Sequence, residues 1–209
     1  MLATRGRIGY MRPMSRTATI TRTTSETEIA LTLDLDGTGR GEIATGIGFL
    51  DHMLTGFTRH AMVDLTLTAE GDLHVDDHHT TEDIGIALGQ ALVRALGDKR
   101  GITRFGQALL PMDDALVEVA IDLSGRAYLG WNVSFRPDKI GEMDSELFEE
   151  FFRAFCFNGL FNLHVTARAG HNAHHLAEAC FKATARALRM AVSPDPRSEG
   201  SIPSTKGAL

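Results

Sequence analysis

Two short runs in the 209-residue sequence carry the residue types that hold metal ions, His78-His79-Thr80-Thr81-Glu82 and His174-His175-Leu176-Ala177-Glu178. Both read His-His-x-x-Glu. On a helix, residues three or four apart share a face, so the glutamate and one histidine of each run can chelate one ion. Adjacent histidines project about 100° apart and cannot easily grip the same ion. Two such runs point to two metal ions, each drawing ligands from both runs or from two subunits. The plainer alternative is a pair of solvated helix N-termini with incidental histidines; recurrence of the whole pattern favours metal. His52, in Gly48-Phe49-Leu50-Asp51-His52-Met53-Leu54, is a further candidate ligand. Imidazole and carboxylate without thiolate suit Mn, Fe or Zn, and more than four ligands favour octahedral Mn2+ over tetrahedral Zn2+. Cys180 reads as a small core residue, and His60, His74, His164 and His171 as structural histidines.

Such ligands need elements to position them. Ile29, Leu31, Leu33 and Leu35 alternate with Glu28, Ala30, Thr32 and Asp34, the period of a half-buried strand, and Asp36-Gly37 supplies a turn. A short helix is expected near 49–60 and a strand over 63–68. Ile84, Leu88, Ala91, Leu92 and Ala95 recur at helical spacing up to Gly97, a plausible stop. Beyond Arg100-Gly101 the pattern restarts, with strands over 105–112, 115–123 and 126–134, a helix near 144–158, a strand over 161–168 and a helix over 174–192. The proline-bearing tail after Ser193 reads as loop.

Strands–helix–strand–helix thus occurs twice. Shifting residues 78–96 by 96 positions superposes His78, His79, Glu82, Ala87, Ala91, Leu92 and Ala95 on His174, His175, Glu178, Ala183, Ala187, Leu188 and Ala191. A shift of 98 pairs Phe57, Leu65, Thr68 and Ala69 with Phe155, Leu163, Thr166 and Ala167, and sets His52 against Glu150, which can also ligate. The polar identities exclude a routine match of two amphipathic helices. The chain reads as an α+β internal duplication, with repeats over 16–100 and 101–193, a disordered extension over 1–15 and a tail over 194–209. Neither half is large enough alone, so their helical faces should pack on each other or on a neighbouring subunit.

Composition narrows the function classes. A net charge of −6 argues against a nucleic-acid footprint, and two cysteines exclude a disulfide framework. No apolar run approaches the roughly 18–20 residues of a membrane helix. Arg5, Arg7, Arg12, Arg16 and Arg22 precede any acidic residue, which suits a frayed bacterial N-terminus in a cytoplasmic protein, with plastid import as the alternative. Arg104, Arg126 and Lys182, with Ser204-Thr205-Lys206-Gly207 in the tail, read by composition as scattered surface cations, although such residues can also wrap a phosphate.

Six motifs, in order, raise the specificity. Asp34-Leu35-Asp36-Gly37-Thr38-Gly39, Phe49-Leu50-Asp51-His52-Met53-Leu54, Asp76-Asp77-His78-His79-Thr80-Thr81-Glu82-Asp83, Asp122-Leu123-Ser124-Gly125-Arg126, the second His-His-x-x-Glu with Phe181-Lys182-Ala183, and Ile202-Pro203-Ser204-Thr205-Lys206-Gly207 together resemble the imidazoleglycerol-phosphate dehydratase family from about Arg16 onward. The resemblance implies a ribosomal protein S5 domain 2-like fold, two sheets with helices packed between. It implies a hydro-lyase of histidine biosynthesis with two Mn2+ per active site, dehydrating D-erythro-imidazole glycerol phosphate to imidazole acetol phosphate through a metal-stabilised imidazolate. It also implies a homo-oligomer built from trimers, with 24 subunits and active sites between them, and a small phosphorylated imidazole as substrate.

Residue by residue, the resemblance makes His52, His78, His79, Glu82, His174, His175 and Glu178 metal ligands, and Glu26 a substrate-contacting carboxylate that we assign to proton transfer. Arg104, Arg126, Lys182, Ser204 and Lys206 match substrate and phosphate contacts. Two positions depart from the family pattern. Glu150 stands where many members carry a histidine ligand, and Gly56 where many carry a glutamine. Rival readings are a di-metal hydrolase, which needs no basic tail, and a metal-storage oligomer, which needs no Glu26.

Overall fold

Alternation along the first strands lays one apolar face onto a helix layer, and the same design is built twice. The computed structural model describes residues 15–198 and 200–208; the expected extension over 1–15 falls, except for Ser15, outside the described residues. The first unit runs β1 (Thr17–Thr23), β2 (Thr27–Asp34), β3 (Gly41–Ala44), α1 (Gly48–Ala61), β4 (Asp64–Gly71) and α2 (His78–Leu96). The second runs β5 (Phe105–Met112), β6 (Ala115–Asp122), β7 (Tyr128–Asn132), a small hairpin β8 (Lys139–Ile140) and β9 (Met143–Asp144), then α3 (Leu147–Gly159), β10 (Asn162–Ala169) and α4 (Ala173–Val192).

The two main sheets have matching strand orders, β1-β2-β4-β3 and β5-β6-β10-β7. Within each, the last-named strand pairs parallel to its neighbour and the other pairs are antiparallel. Ile20, Ile29, Leu31, Leu33, Leu65 and Leu67 bury the inner face of the first sheet, and Val117, Val119, Ile121, Leu163 and Val165 that of the second. The helices lie between the sheets. α2 rests on β1 and β2, α4 rests on β5 and β6, and across the middle α1 meets α4 and α2 meets α3. Phe57 and Phe155, equivalent under the 98-residue shift, touch each other with ring centroids 6.0 Å apart.

Some boundaries and elements differ from the sequence reading. The strand expected over 126–134 is confined to Tyr128–Asn132, and α3 starts at Leu147 because Met143-Asp144 is taken by the small hairpin. β1 was not legible as a strand because Thr17, Thr19, Thr21 and Thr23 fill its outward positions, leaving Ala18 and Ile20 as its buried pair. Arg16 and Arg22 belong to the fold. Arg16 pairs with Asp36 at 2.5 Å, and Arg22 with Asp83 at 2.7 Å. The tail is loop, tied by an isolated bridge between Ile102 and Pro194. Among the described residues no helix is long and apolar enough to cross a membrane.

The α2–α3 contact depends on glycine. A Cβ on Gly85 would lie 2.7 Å from the Phe151 carbonyl oxygen, and one on Gly89 would lie 2.6 Å from both Gly159 N and the Phe155 carbonyl oxygen. These obstacles are backbone and cannot rotate away. Gly85→Ala and Gly89→Ala should each destabilise by about 1–3 kcal/mol, the range for overpacking a close contact. Gly56→Ala should instead stabilise α1 by about 0.5–1 kcal/mol, since a Cβ there meets nothing within 4 Å. Denaturant midpoints of the three variants check the contrast; equal shifts would contradict it.

Candidate active site

Two helix N-termini present the paired histidines, and local hydrogen bonds decide how. Asn172 caps α4, its side-chain oxygen accepting from the backbone N–H of His174 at 2.9 Å and of His175 at 3.3 Å. Asp76 accepts from the His78 N–H at 2.8 Å at the start of α2. Both side chains satisfy helix-start donors that would otherwise be unpaired. Within each pair the rings stand edge-on, with interplanar angles of 80° for His78 and His79 and 82° for His174 and His175. Each pair therefore faces two directions. At α1, Asp51 accepts from the Thr45 backbone at 2.9 Å and from its hydroxyl at 2.7 Å, closing the loop that delivers His52.

Packing of α1 on α4 brings His52, His174 and Glu178 together, with one ligand atom from each, all within 4.8 Å of one another. Among the described residues no other three His, Cys, Asp or Glu side chains gather so closely. Glu178 Oε2 lies 3.2 Å from His174 Nε2 and 3.7 Å from His52 Nε2. Its other oxygen holds Lys182 Nζ at 2.6 Å. Burial alone would raise the Glu178 pKa, but the Lys182 ammonium with His52 and His174 outweighs it, and the carboxyl sits below its ordinary value. Phe49 stands edge-on to His174 with centroids 5.1 Å apart, an apolar shelf beneath the cluster. A cleft of about 480 Å³ opens beside His52, bounded by Phe49, Asp77 and Met143. Two imidazoles and one carboxylate, with no thiolate among them, suit a borderline divalent ion with room for further ligands. Cys180 faces the core, where burial pushes its thiol pKa up.

The outward histidines each meet a carboxylate through Nδ1. His79 Nδ1 is 3.0 Å from Asp72 Oδ2 and 3.9 Å from Glu26 Oε2. The hydrogen bond to Asp72 raises the His79 pKa above its ordinary value. His175 Nδ1 is 2.7 Å from Asp114 Oδ1, while its Nε2 has Asp113 at 3.4 Å. Asp114 also accepts from the backbone N–H groups of Asn172 and His171, and these bonds with His175 hold its carboxyl far below the usual range. Glu26 occupies the β1–β2 turn, whose shape is set by Thr24 Oγ1 accepting from the Glu26 and Thr27 N–H groups at 3.1 and 3.0 Å. Thr27 then donates to buried Asp83 at 2.5 Å, anchoring the turn to α2.

The other candidates are placed as follows. Glu82 lies on α2 one turn after His78. Glu150 lies on α3 with Arg153 Nε at 3.6 Å, so Glu150, His78 and Glu82 are not gathered as their counterparts His52, His174 and Glu178 are. Arg104 adopts the left-handed region at φ 71°, binds Asp122 through Nε at 2.7 Å and Nη2 at 3.1 Å, and donates from Nη1 to the Pro203 carbonyl at 2.8 Å. Gly101 and Arg100 add bonds to Ser201 and Gly200, so the tail is strapped to the segment joining the halves. Lys99, buried by that segment, donates to the Leu123 carbonyl at 3.2 Å. Arg126 follows the turn at Gly125 (φ 78°). In the tail, Ser204 accepts from the Lys206 N–H at 3.2 Å.

Sequence reasoning missed Asp72 and Asp114. A signal existed for Asp114. Ile29 pairs with Ala69, and Val117 with Ala167, which are equivalent under the 98-residue shift, so Glu26 and Asp114, each three residues earlier, are equivalent too. The strands before the turns align at a different offset from the helices, and a comparison at 96 or 98 passes over them.

The chain is similar to known proteins over most of its length. Residues 45–188 match the family model described as imidazoleglycerol-phosphate dehydratase. The imidazoleglycerol-phosphate dehydratase of Granulibacter bethesdensis is 69% identical over 196 residues, covering 94% of this chain and 100% of that one. That of Gluconacetobacter diazotrophicus is 68% identical over 195 residues, covering 93% and 98%. The crystal structure of imidazoleglycerol-phosphate dehydratase from Staphylococcus aureus has a TM-score of 0.79 at 42% identity, covering 86% of this chain and 99% of that one.

The Thr27–Asp83–Arg22 linkage gives a direct test of how the Glu26 turn is held. Asp83→Ala removes an acceptor for both partners and leaves the half-buried Arg22 without its ion pair. A loss of about 1–3 kcal/mol is expected, the cost of unsatisfied buried groups. Chemical denaturation measures it, and unchanged stability would show that the turn is held by Thr24 alone.

Proposed function

Because the chain belongs to the imidazoleglycerol-phosphate dehydratase family, a hydro-lyase family of histidine biosynthesis, we propose that it converts D-erythro-imidazole glycerol phosphate to imidazole acetol phosphate and water, using two Mn2+ ions per active site. The observation that carries this reading is the meeting of His52 from the first half with His174 and Glu178 from the second. Duplication supplies a counterpart set, Glu150 with His78 and Glu82, in which Glu150 takes the place of a histidine. His79 and His175 face away from their neighbours and would serve ions held by adjacent subunits, in a homo-oligomer built from trimers with 24 subunits.

When bound, the cations would supply Lewis acidity at the imidazole ring of the substrate, a sink for the charge left as the ring-adjacent hydrogen departs. The protein's own residues do the rest. The C–H bond beside the ring and a C–OH bond break, water leaves, and the resulting enol becomes the ketone. Glu26, half-exposed and beside His79, is the carboxylate assigned to moving that proton. Arg104, Arg126, Lys182, Ser204 and Lys206 anchor the phosphate far from the reacting carbon and supply orientation. Lys182 joins the two groups of residues, since it already binds Glu178. Residues 16–100 and 101–193 serve as the two repeats of the scaffold and 194–209 as the substrate-binding tail, held ready by the Arg104–Pro203 bond.

Purified protein assayed on imidazole glycerol phosphate, with elemental analysis, tests the reading. About two transition-metal ions per chain are expected, with chelation abolishing activity and weakening assembly; a single tetrahedral zinc would overturn it. Glu26→Gln should lower kcat by roughly 10²–10⁴-fold while metal content and fold persist. Lys206→Ala removes a contact present in both ground and transition states, so it should chiefly raise KM. A Glu26→Gln enzyme with near-normal kcat would assign the proton to another group.

A further inference from the structure

Glu26 and Asp114 stand at equivalent places in the two halves, in four-residue turns opposite the second histidine of their own half's helix. They are used differently. Asp114 commits both oxygens to scaffolding: Oδ1 to His175 Nδ1 at 2.7 Å, Oδ2 to the His171 and Asn172 N–H groups at 2.6 and 3.0 Å. Glu26 stays 3.9 Å from His79 Nδ1 with its side chain 49% exposed. The position on His79 Nδ1 is filled instead by Asp72, from the loop after β4, at 3.0 and 3.2 Å.

A neutral imidazole has one N–H and one lone pair, and an ionised carboxylate can only accept. A carboxylate on Nδ1 therefore places the proton there and leaves the lone pair on Nε2, the arrangement an outward-facing ligand histidine needs. We infer that Asp72 and Asp114 are positioning residues that lock the tautomer and ring orientation of His79 and His175, and that Asp72, by taking over this task in the first half, leaves Glu26 free for proton transfer. The inference rests on the metal reading above and deepens it by separating two carboxylates that the duplication made equivalent.

Asp72→Asn and Asp114→Asn are the sharp variants. An asparagine at 114 can keep its carbonyl on the backbone N–H groups, preserving the loop, while its amide N–H donates to Nδ1 and drives the proton to Nε2. Each variant should keep its circular dichroism, yet bind Mn2+ at the affected site about 10–100-fold more weakly, the usual loss for an outer partner of a ligand histidine. Electron paramagnetic resonance titration of the full-length protein reads the affinity. Nitrogen-15 spectra of labelled histidine in the metal-free protein should show the tautomer reversed. Glu26→Gln should retain wild-type Mn2+ affinity and histidine tautomers. Wild-type affinity and tautomers in both asparagine variants would overturn the inference, as would loss of Mn2+ in Glu26→Gln equal to that in Asp72→Asn. A wild-type protein that takes up no Mn2+ would overturn the metal reading instead, and the tautomers would still decide whether Asp72 and Asp114 fix the rings.

Discussion

The helix layer belongs to both halves at once, and everything else follows from that sharing. Each sheet is covered by helices of its own half, but those helices are also apolar on the side facing away from the sheet. Phe57 and Phe155 touch across the halves, Phe151 and Phe181 stack behind Phe155, and all four are buried. At about 1.5–3 kcal/mol for each large apolar side chain removed from water, the association of the halves is a condition of folding. The same contact carries His52 to His174 and Glu178. A chain that failed to join its halves would lose its core and its ligand cluster in one event.

Around this layer the chemistry-bearing residues fall into zones with different mechanical support. The paired histidines sit on first turns of long helices, where Asn172 and Asp76 accept from their backbone N–H groups and fix the backbone beneath them. Apart from Lys182 on α4, the cations assigned to the phosphate sit on irregular segments, where Arg104 and Arg126 donate to backbone carbonyls instead of joining a ladder. Rigid support suits ligands that must share an ion within a few tenths of an ångström. A strapped tail suits an anchoring role, where a phosphate can be met by long, adaptable side chains.

Much of this was legible in the residues. The His-His-x-x-Glu runs announced both their helical setting and their repetition, because their polar identities recur where packing alone would not require them. The helices and inner strands followed from apolar periodicity. Elements without that periodicity were lost: β1 hides behind its outward threonines, β3 is too short to show a period, and the β8–β9 hairpin pairs only two residues on each side. Asp72 and Asp114 were lost for another reason. Asp72 meets a ring seven residues on and Asp114 one sixty-one residues on, pairings that leave no periodic trace, and an aspartate in a turn has an ordinary local explanation. That Glu150, His78 and Glu82 do not form a close group like that of His52, His174 and Glu178 was equally invisible, since it depends on the packing of separate helices.

A protein assembled from two identical polypeptides changes at every symmetry-related place whenever its gene changes once. Joining two copies in one reading frame removes that bond between them, and the pair Glu26 and Asp114 records the release. One copy of the turn ties its carboxylate to the ring and the loop beside it, and the other, with Asp72 on its ring, stands open to solvent. The halves have thereby ceased to be interchangeable parts. Two second halves would tie both turn carboxylates to their rings and two first halves would leave both open, so the contrast exists only while one of each remains on a single strand of chain.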